Sequence, residues 1–374
     1  MNFEAAGSAV TYDSNSFAPD SASTATSIST GYKTYSGSIN VDETGTISYE
    51  TIAEQLHAQK GYSVGVITSV NLNHATPAAF YAHQASRNDY YDIGLELIDS
   101  GFEYFAGGGL LKPTGAEGDQ ADLYALAEKA GYHVVKTQAE AEQVTGGPVV
   151  IIDEHLADSD AMAYEIDRTD DMWALADYVE KGIEVLSQDK DGFFMMCEGG
   201  KIDWACHAND AASTIHDRQA LADAVQVAID FAKEHADETL ILVTSDHETG
   251  GLTIGFAGTD YDTYLDLLES QKISYAKFDS DYVSRYKEDK TSFEDVLKDV
   301  EALFGLTDYE LEQLRAAYEK SVNGTAASQY EQEEYVLYGT YEPLSVTLTH
   351  IINNKSGISF TSYSHTGLPV AVLA

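Results

Sequence analysis

The feature that most constrains the fold is a repeated alternation of helical segments with short apolar runs. Three segments have the pattern of amphipathic helices: SYETIAEQLHAQKGY, DMWALADYVEKGIEVLSQ and DRQALADAVQVAIDFAKEHAD. A short apolar run follows shortly after each of them, namely SVGVITSV, GFFMMC and TLILV. Helices that alternate with buried strands are typical of a mostly parallel sheet, which is covered on both faces. The sequence therefore predicts an α/β fold of three layers, with a mostly parallel central sheet and helices on both faces.

The character of the chain changes between residues 259 and 343. Tyrosines and acidic residues become dense there, and the helical segments YDTYLDLLESQ, TSFEDVLKDVEALFG and TDYELEQLRAAYEK predominate. The last of these opens with Thr307 and Glu310 at the spacing of a capping box. We interpret 1–258 as the first part of the core, 259–343 as a helical insertion that forms a cap or a dimer contact, and 344–374 as the final part of the core.

The charge of the chain excludes some partners. With 62 acidic against 21 basic residues, the formal net charge is −41, and such a field repels nucleic acid. An anionic substrate would need local positive charge, for which bound metal ions are the obvious source, although an acidic surface that keeps the protein soluble explains most of the charge by itself. The sequence contains no run of 18 apolar residues that predicts a transmembrane segment, and no signal peptide is visible in MNFEAAGSAVTYDSN.

Two groups of metal-binding residue types follow predicted strands. TSDHETGG places Asp246 and His247 after TLILV, and EGGKIDWACHAND places Glu198, Asp203 and His207 after GFFMMC. Asp203 and His207 are four residues apart on a predicted helix, so they lie on one face and can share an ion. A polar turn and an acidic helix start explain each group separately, but two such groups at strand ends favour a metal or phosphate site.

Two further segments carry candidate phosphate contacts. PDSASTATSISTG places Ser21 at a helix start, where N–H groups and the dipole can hold an anion or an alkoxide, although capping by Asp20 or Ser21 explains the same pattern. In NHATPAAFYAHQASR, Thr76 before Pro77 is typical of an N-cap and first helical residue, and Arg87 can bind phosphate or be a solvated charge at a helix end. If Thr76 and Arg87 serve one site, the helix must bend or end before Arg87, because eleven residues of helix span roughly 16 Å.

The segment GYSVG, residues 61–65, matches the G-x-S-x-G pattern of a nucleophile elbow. That elbow needs a strand, a sharp turn and then a helix. Ser63 instead follows a predicted helix and opens a strand, so we expect its hydroxyl at the wrong edge of the sheet.

Taken in order, the motifs resemble those of alkaline phosphatases. They are D-S-A-x-x-A-T, H-A-T-P-A-A with Arg eleven residues after Thr, E-G-x-x-I-D-x-x-x-H, D-H-E-T-G-G and S-H-T-G, and the match covers nearly the whole chain except the insertion. The resemblance implies an alkaline-phosphatase-like fold and a metal-dependent phosphomonoesterase with two zinc ions, one magnesium ion and a phosphoserine intermediate. It also implies small phosphate monoesters as substrates, a homodimer and an extracytoplasmic location, periplasmic or secreted.

The resemblance implies roles for individual residues. Ser21 matches the nucleophile, and Arg87 matches the phosphate-binding arginine. Asp203, His207 and His365 match one zinc site; Asp246 and His247, with Ser21, match the second; Glu198 and Thr76 match the magnesium site. His74 and Trp204 fall at positions near the metals that vary within the family, and this His/Trp pairing resembles some bacterial enzymes.

One family feature is missing from this sequence. Alkaline phosphatases have a buried strand that ends in G-D-G, whose aspartate bridges the second zinc and the magnesium, and no G-D-G occurs here. We therefore expect a fragment trimmed at both ends, which would leave the second zinc underliganded and the chain nearly inactive and poorly soluble. The alternatives are another hydrolase of the superfamily, such as a phosphodiesterase or a sulfatase, or an inactive metal- or phosphate-binding fragment. Sulfatases use a C/S-x-P-x-R context, and DSAST lacks both Pro and Arg.

Overall fold

The computed structural model describes residues 3–301, 305–325 and 330–374, and a five-stranded parallel sheet lies at its centre. In chain order the described strands are β1 (Ala6–Ala9), β2 (Ser63–Thr68), β3 (Tyr104–Gly107), β4 (His133–Val135), β5 (Val149–Ile152), β6 (Phe193–Glu198), β7 (Val243–Thr244), β8 (Glu248–Thr249), β9 (Thr253–Ile254), β10 (Ile358–Ser359), β11 (His365–Thr366) and β12 (Val370–Leu373). The central sheet has the order β4-β5-β3-β2-β6. A second sheet, β1-β12-β7, is antiparallel, and β10 with β9 and β11 with β8 form short antiparallel pairs.

Helices connect the parallel strands. The described α-helices are α1 (Ser21–Thr30), α2 (Ile52–Lys60), α3 (Ala75–Ala78), α4 (Tyr90–Asp99), α5 (Leu123–Ala130), α6 (Gln138–Ala141), α7 (Leu175–Leu186), α8 (Gly200–His207), α9 (Ala211–Glu234), α10 (Tyr275–Phe278), α11 (Ser284–Asp289), α12 (Phe293–Glu301), α13 (Asp308–Asn323), α14 (Glu331–Tyr338) and α15 (Pro343–Ser356). Short 3₁₀ helices span Asp158–Asp160, Glu165–Asp167 and Leu265–Ser270, and a π-helix spans Asp279–Val283. Within the described ranges every helix is too short or too polar to cross a membrane.

The three predicted layers are confirmed. Alternate residues of β2 enter two separate hydrophobic clusters: Val64 and Val66 pack in one with α4 and α5, and Ile67 packs in the other with α7 and α9. This is the period of two that a strand imposes when both of its faces are buried. Helices therefore cover both faces of the parallel sheet.

Several predicted elements form where the sequence placed them. Helix α2 ends at Gly61, whose φ of 72° is in the left-handed region that favours glycine. Thr307 and Glu310 form the predicted capping box of α13. The third predicted helix of the insertion is thus present, and the second is present as α12, although residues 302–304 of that segment lie outside the described residues. The first is only the 3₁₀ helix Leu265–Ser270.

The prediction that TLILV forms a buried strand is wrong. Only Val243 belongs to a strand, β7, which pairs with β12 rather than with the parallel sheet, and Leu240 and Leu242 are 77% and 64% exposed. Strand β6 is an edge of the parallel sheet as described, and all of its residues are half-buried, whereas β2 is buried from Val64 onward. An apolar run becomes a buried strand only if a neighbouring strand covers it, and the described residues provide no such neighbour for TLILV.

A third hydrophobic cluster holds the helical region together. Its buried members run from Val283 in the π-helix to Ile351 in α15. This cluster therefore extends on both sides of residue 343, where the sequence analysis placed the end of the insertion. The division into core and insertion remains a prediction.

Candidate active site

The site lies at the carboxyl ends of β2 and β6. The last residues of these strands, Thr68 and Glu198, are register partners, and the Thr68 hydroxyl donates a 2.5 Å hydrogen bond to Glu198 Oε2. The Thr76 side chain also hydrogen-bonds to Glu198. Burial, together with the nearby charges of Asp246 and Asp203, raises the pKa of Glu198 to about 8 despite these two hydrogen bonds. A cation bound at this carboxyl group would replace its proton and offset the cost of burying the charge.

The segment that carries Thr76 and Arg87 differs from a simple capped helix. Thr76 lies inside α3 and His74 is its N-cap, so the N-cap interpretation of Thr76 was wrong. Helix α3 ends at Ala78, and the Arg87 N–H donates to the Gly37 carbonyl in a separate loop. The helix therefore ends well before Arg87, as one shared site requires.

Histidines and an aspartate from three parts of the chain meet beside Glu198. One ligand atom from each of Asp203, His247 and His365 lies within 4.8 Å of the other two. Asp203 Oδ1 is 3.4 Å from His365 Nε2 and 3.5 Å from His207 Nε2. The His247 and His365 rings are stacked with centroids 3.5 Å apart. Burial would raise the pKa of Asp203, but the His365 hydrogen bond and the neighbouring imidazoles outweigh it, and the net shift is downward.

Backbone carbonyls fix two of the imidazoles. His207 Nδ1 is 2.6 Å from the Tyr363 carbonyl oxygen, and His365 Nδ1 is 2.6 Å from the Pro19 carbonyl oxygen. A carbonyl only accepts, so each Nδ1 carries a proton and donates. In the neutral rings both Nε2 atoms then present lone pairs, and these atoms are only 3.1 Å apart. Two acceptor nitrogens next to a carboxylate oxygen require a proton or a cation between them, and this donor set suits zinc.

Thr249 orders the same cluster through one hydroxyl. Its Oγ1 donates to Asp203 Oδ1 at 2.5 Å and lies 3.2 Å from His247 Nδ1. Since the hydroxyl proton is used on Asp203, His247 Nδ1 must donate to Thr249 Oγ1. The lone pair of His247 is therefore on Nε2, which faces the Ser21 hydroxyl.

Ser21 is the first residue of α1, and its neighbour Asp20 caps the helix. The Asp20 carboxylate accepts from the Ser23 N–H, so the capping role falls to Asp20 and leaves the Ser21 hydroxyl free for other contacts. Ser21 is 3% exposed, and its Oγ is 3.0 Å from His247 Nε2. From the next turn, Thr24 Oγ1 donates to Asp246 Oδ2 at 3.1 Å, and this oxygen lies 3.2 Å from His247 Nε2. The start of α1 is thus joined to both residues of the D-H pair.

Arg87 is held from two sides beside Ser21. Its Nη1 donates to Asp20 Oδ2 at 2.9 Å, and its Nη2 lies 3.1 Å from His74 Nε2. A guanidinium only donates, so His74 Nε2 accepts, and the proton of the neutral ring is on Nδ1, a buried atom without a partner among the described residues. Burial and the Arg87 charge lower the pKa of His74 to about 3. Trp204 packs edge-on against His74, with ring centroids 5.9 Å apart.

Ser63 and Glu248, which also belong to motifs in the sequence, lie outside this cluster. Ser63 begins β2 at the opposite edge of the sheet, where it donates to Asp189 at 2.7 Å, so the nucleophile-elbow interpretation is correctly rejected. Glu248 braces its own turn by accepting from the N–H groups of Gly251 and Leu252 and from the Thr366 hydroxyl.

The structure places the residues that the sequence analysis selected in three groups. Ser21, Asp203, His207, Asp246, His247 and His365 are linked by short contacts, Glu198 and Thr76 are hydrogen-bonded, and Arg87, His74 and Trp204 are in series. Sequence reasoning missed the positioning roles of Thr249, Thr68 and Thr24. Thr249 and Thr24 lie inside polar motifs, which was the only signal for them.

Comparison with known proteins agrees with this geometry. The sequence profile of the family described as alkaline phosphatase matches residues 1–374. The chain belongs to the alkaline phosphatase family. It is therefore related to phosphatases, enzymes that hydrolyse phosphate monoesters, and is itself a phosphatase by family. The family is metal-dependent, and the Asp203, His247 and His365 group is a possible metal site.

Individual relatives support the family assignment along the chain. Alkaline phosphatase 3 of Bacillus subtilis is 30% identical over 361 residues, which are 95% of this chain and 71% of that protein. The crystal structure of a cold-active alkaline phosphatase from a psychrophilic Shewanella has a TM-score of 0.80 at 30% identity and covers 98% of this chain and 83% of that one. The Thermus thermophilus alkaline phosphatase has a TM-score of 0.79 at 26% identity, with coverage of 98% and 76%.

Proposed function

We propose that this chain hydrolyses small phosphate monoesters through a phosphoserine at Ser21, with two zinc ions and one magnesium ion. The observation that carries the proposal is the 3.0 Å contact of the buried Ser21 Oγ with His247 Nε2, inside a group of imidazoles and carboxylates suited to zinc. A buried serine hydroxyl beside a metal site and an arginine supports phosphoryl transfer to serine.

The types of donor atom suggest which residues would hold each metal ion. Asp203, His207 and His365 would hold one zinc ion, Asp246 and His247 the second, and Glu198 with Thr76 the magnesium ion. Carboxylate and imidazole ligands suit zinc, and an all-oxygen set suits magnesium. When bound, the zinc ions lower the pKa of a hydroxyl group and neutralise the negative charge of the phosphate.

The reaction proposed for Ser21 has two steps. In the first, the Ser21 hydroxyl loses its proton and its oxygen bonds to phosphorus, while the bond from phosphorus to the alcohol oxygen breaks and the alcohol leaves with a proton. In the second, a water oxygen bonds to the same phosphorus while the bond from phosphorus to the Ser21 oxygen breaks, so that inorganic phosphate leaves and Ser21 regains its hydroxyl with a proton from the water. The position of Ser21 at the start of α1 supports both steps, because the free N–H groups of the first turn favour negative charge.

Arg87 would bind the nonbridging phosphate oxygens. Two of its nitrogens are already paired, with Asp20 and His74, which orients the planar guanidinium beside Ser21. A fixed fork of donors suits a tetrahedral phosphate better than a mobile lysine would.

The proposal includes a homodimer and an extracytoplasmic location, both as the family implies. A second candidate function is binding of metal and phosphate without turnover. The half-buried β6 edge and the exposed Leu240 and Leu242 favour it, because an apolar edge left uncovered next to Glu198 loosens the site.

The rate of p-nitrophenyl phosphate hydrolysis, with and without added zinc and magnesium, separates these candidates. We expect turnover that is low, depends on the added metals and exceeds the turnover of bis-p-nitrophenyl phosphate and p-nitrophenyl sulfate. Metal and phosphate binding without turnover would support the second candidate. Preferred hydrolysis of the diester or the sulfate would overturn the monoesterase proposal.

A further inference from the structure

A buried lysine lies on α8, two residues before Asp203. Lys201, in the first turn of α8, is 0% exposed, and its Nζ donates to Asp158 Oδ1 at 2.6 Å. An ammonium group is costly to bury, and a methionine of similar length would fill the same space without that cost. Its partner carboxylate is itself half-exposed, so the ion pair alone does not account for full burial of the lysine.

The Lys201 ammonium group also lies near the carboxylates of Asp217 and Asp167 and over two aromatic faces. Its Nζ lies 4.0 Å from the ring centroid of Tyr164 and 4.7 Å from that of Trp204. Both distances are within the range of cation–π attraction, which strengthens when the cation is shielded from water. The ammonium group therefore holds the face of Trp204, three residues further along α8.

Trp204 connects Lys201 to the proposed phosphate site through its contact with His74. Its ring meets the His74 ring edge-on, at 5.9 Å and an interplanar angle of 72°. His74 Nε2 in turn accepts from Arg87 Nη2 at 3.1 Å, while Asp20 holds Nη1 of the same guanidinium. If Trp204 moves, the His74 ring can turn, and Arg87 then loses one of its two partners.

We propose that Lys201 is a positioning residue for phosphate binding, which acts through Trp204 and His74 on the orientation of Arg87. The inference rests on the proposed function, because it takes Arg87 as the phosphate-binding residue. In this proposal Lys201 affects the binding of the phosphate group, which substrate and product share. It does so without contacting the phosphate itself.

The test is the dissociation constant of inorganic phosphate for the zinc-loaded chain, measured by titration calorimetry. Lys201→Met keeps the apolar stem and removes the charge, and we expect its dissociation constant to rise about tenfold, the size of one shielded cation–π contact. Lys201→Arg keeps the charge and the aromatic contacts, and we expect it to recover most of that loss. In a Trp173→Phe background Trp204 is the sole tryptophan, since the sequence has two, and its emission should shift in Lys201→Met.

The matched control is Lys181→Met. Lys181 is also largely buried, with its side chain 11% exposed, and is paired with Glu184, but it lies on α7, where its Nζ also donates to the Glu142 and Val144 carbonyls. We expect unchanged phosphate binding. Equal losses in Lys181→Met and Lys201→Met would show a general effect of removing a lysine and would overturn the inference.

The decisive comparison is with Arg87→Ala. If Lys201 acts through Arg87, Lys201→Met should weaken phosphate binding by less than about twofold when Arg87 is already alanine. The same tenfold loss in both backgrounds, or no loss in either, would overturn the inference. If Arg87→Ala alone leaves phosphate binding unchanged, the proposed function fails at Arg87, which is a different outcome.

Discussion

Thr249→Val should weaken zinc binding although Thr249 is not a zinc ligand. Valine is nearly isosteric with threonine, so the change removes a hydroxyl from a site that is 5% exposed and leaves the packing in place. Two contacts disappear: the bond donated to Asp203 and the acceptor for His247 Nδ1. Asp203 and His247 would both lose the group that orients them.

The size of the effect follows from the kind of bond that is lost. A hydrogen bond to a charged group contributes about 1.5–3 kcal/mol, which corresponds to about 10- to 150-fold in an equilibrium constant. Changes in groups that orient metal ligands cost about 10- to 100-fold in affinity. We therefore expect the zinc dissociation constant of Thr249→Val to rise by about 10- to 100-fold.

Competition with a chromophoric chelator measures this constant. Thr249→Ser, which keeps the hydroxyl, should stay within about threefold of the unmodified chain. Thr347→Val, a buried threonine of α15, is the control for placing valine in the interior and should not change zinc binding. Unchanged affinity in Thr249→Val, or an equal loss in Thr249→Ser, would refute the argument from the hydroxyl.

Three further predictions concern the nucleophile, the acid–base state and the metal ligands. Ser21→Ala should abolish the phosphoenzyme trapped at acid pH, while Ser63→Ala should leave it intact; turnover retained in Ser21→Ala would make the nucleophile assignment wrong. Because burial raises the pKa of Glu198 from 4.5 to about 8, the free energy of unfolding of the metal-free chain is highest below pH 4.5 and falls by up to about 5 kcal/mol between pH 4.5 and 8. Urea unfolding of Glu198→Gln should lack this loss, and identical pH profiles would contradict the assignment. His207→Ala should bind less zinc after dialysis, and unchanged zinc content would remove His207 from the ligand set.

Local periodicity predicted the central sheet because both faces of its inner strands are buried. The continuous apolar run of β2 and the amphipathic pattern of α7 each need only their own residues to be recognised. The run at Leu240 and Leu242 has the same composition and is nevertheless exposed. Burial of a strand depends on what lies beside it in the sheet, and a sequence window carries no information about that neighbour.

The ligand residues of the site were predictable, whereas their positioning partners were not. Asp203 and His207 are recognisable from their spacing on one helix. The bond from His365 to the Pro19 carbonyl joins residues 346 positions apart and involves backbone on one side, so no side-chain pattern indicates it. Thr249 looks like an ordinary turn residue, since threonine is common in turns, and only the folded structure shows which carboxylate its hydroxyl contacts.

The central claim is that the imidazoles and carboxylates around Ser21 bind zinc. Anomalous diffraction from crystals grown with zinc, recorded on both sides of the zinc absorption edge, tests it directly. We predict one peak bounded by Asp203, His207 and His365 and a second beside Asp246 and His247, within reach of Ser21 Oγ. Zinc bound only elsewhere on the chain, with neither group occupied, would contradict the account.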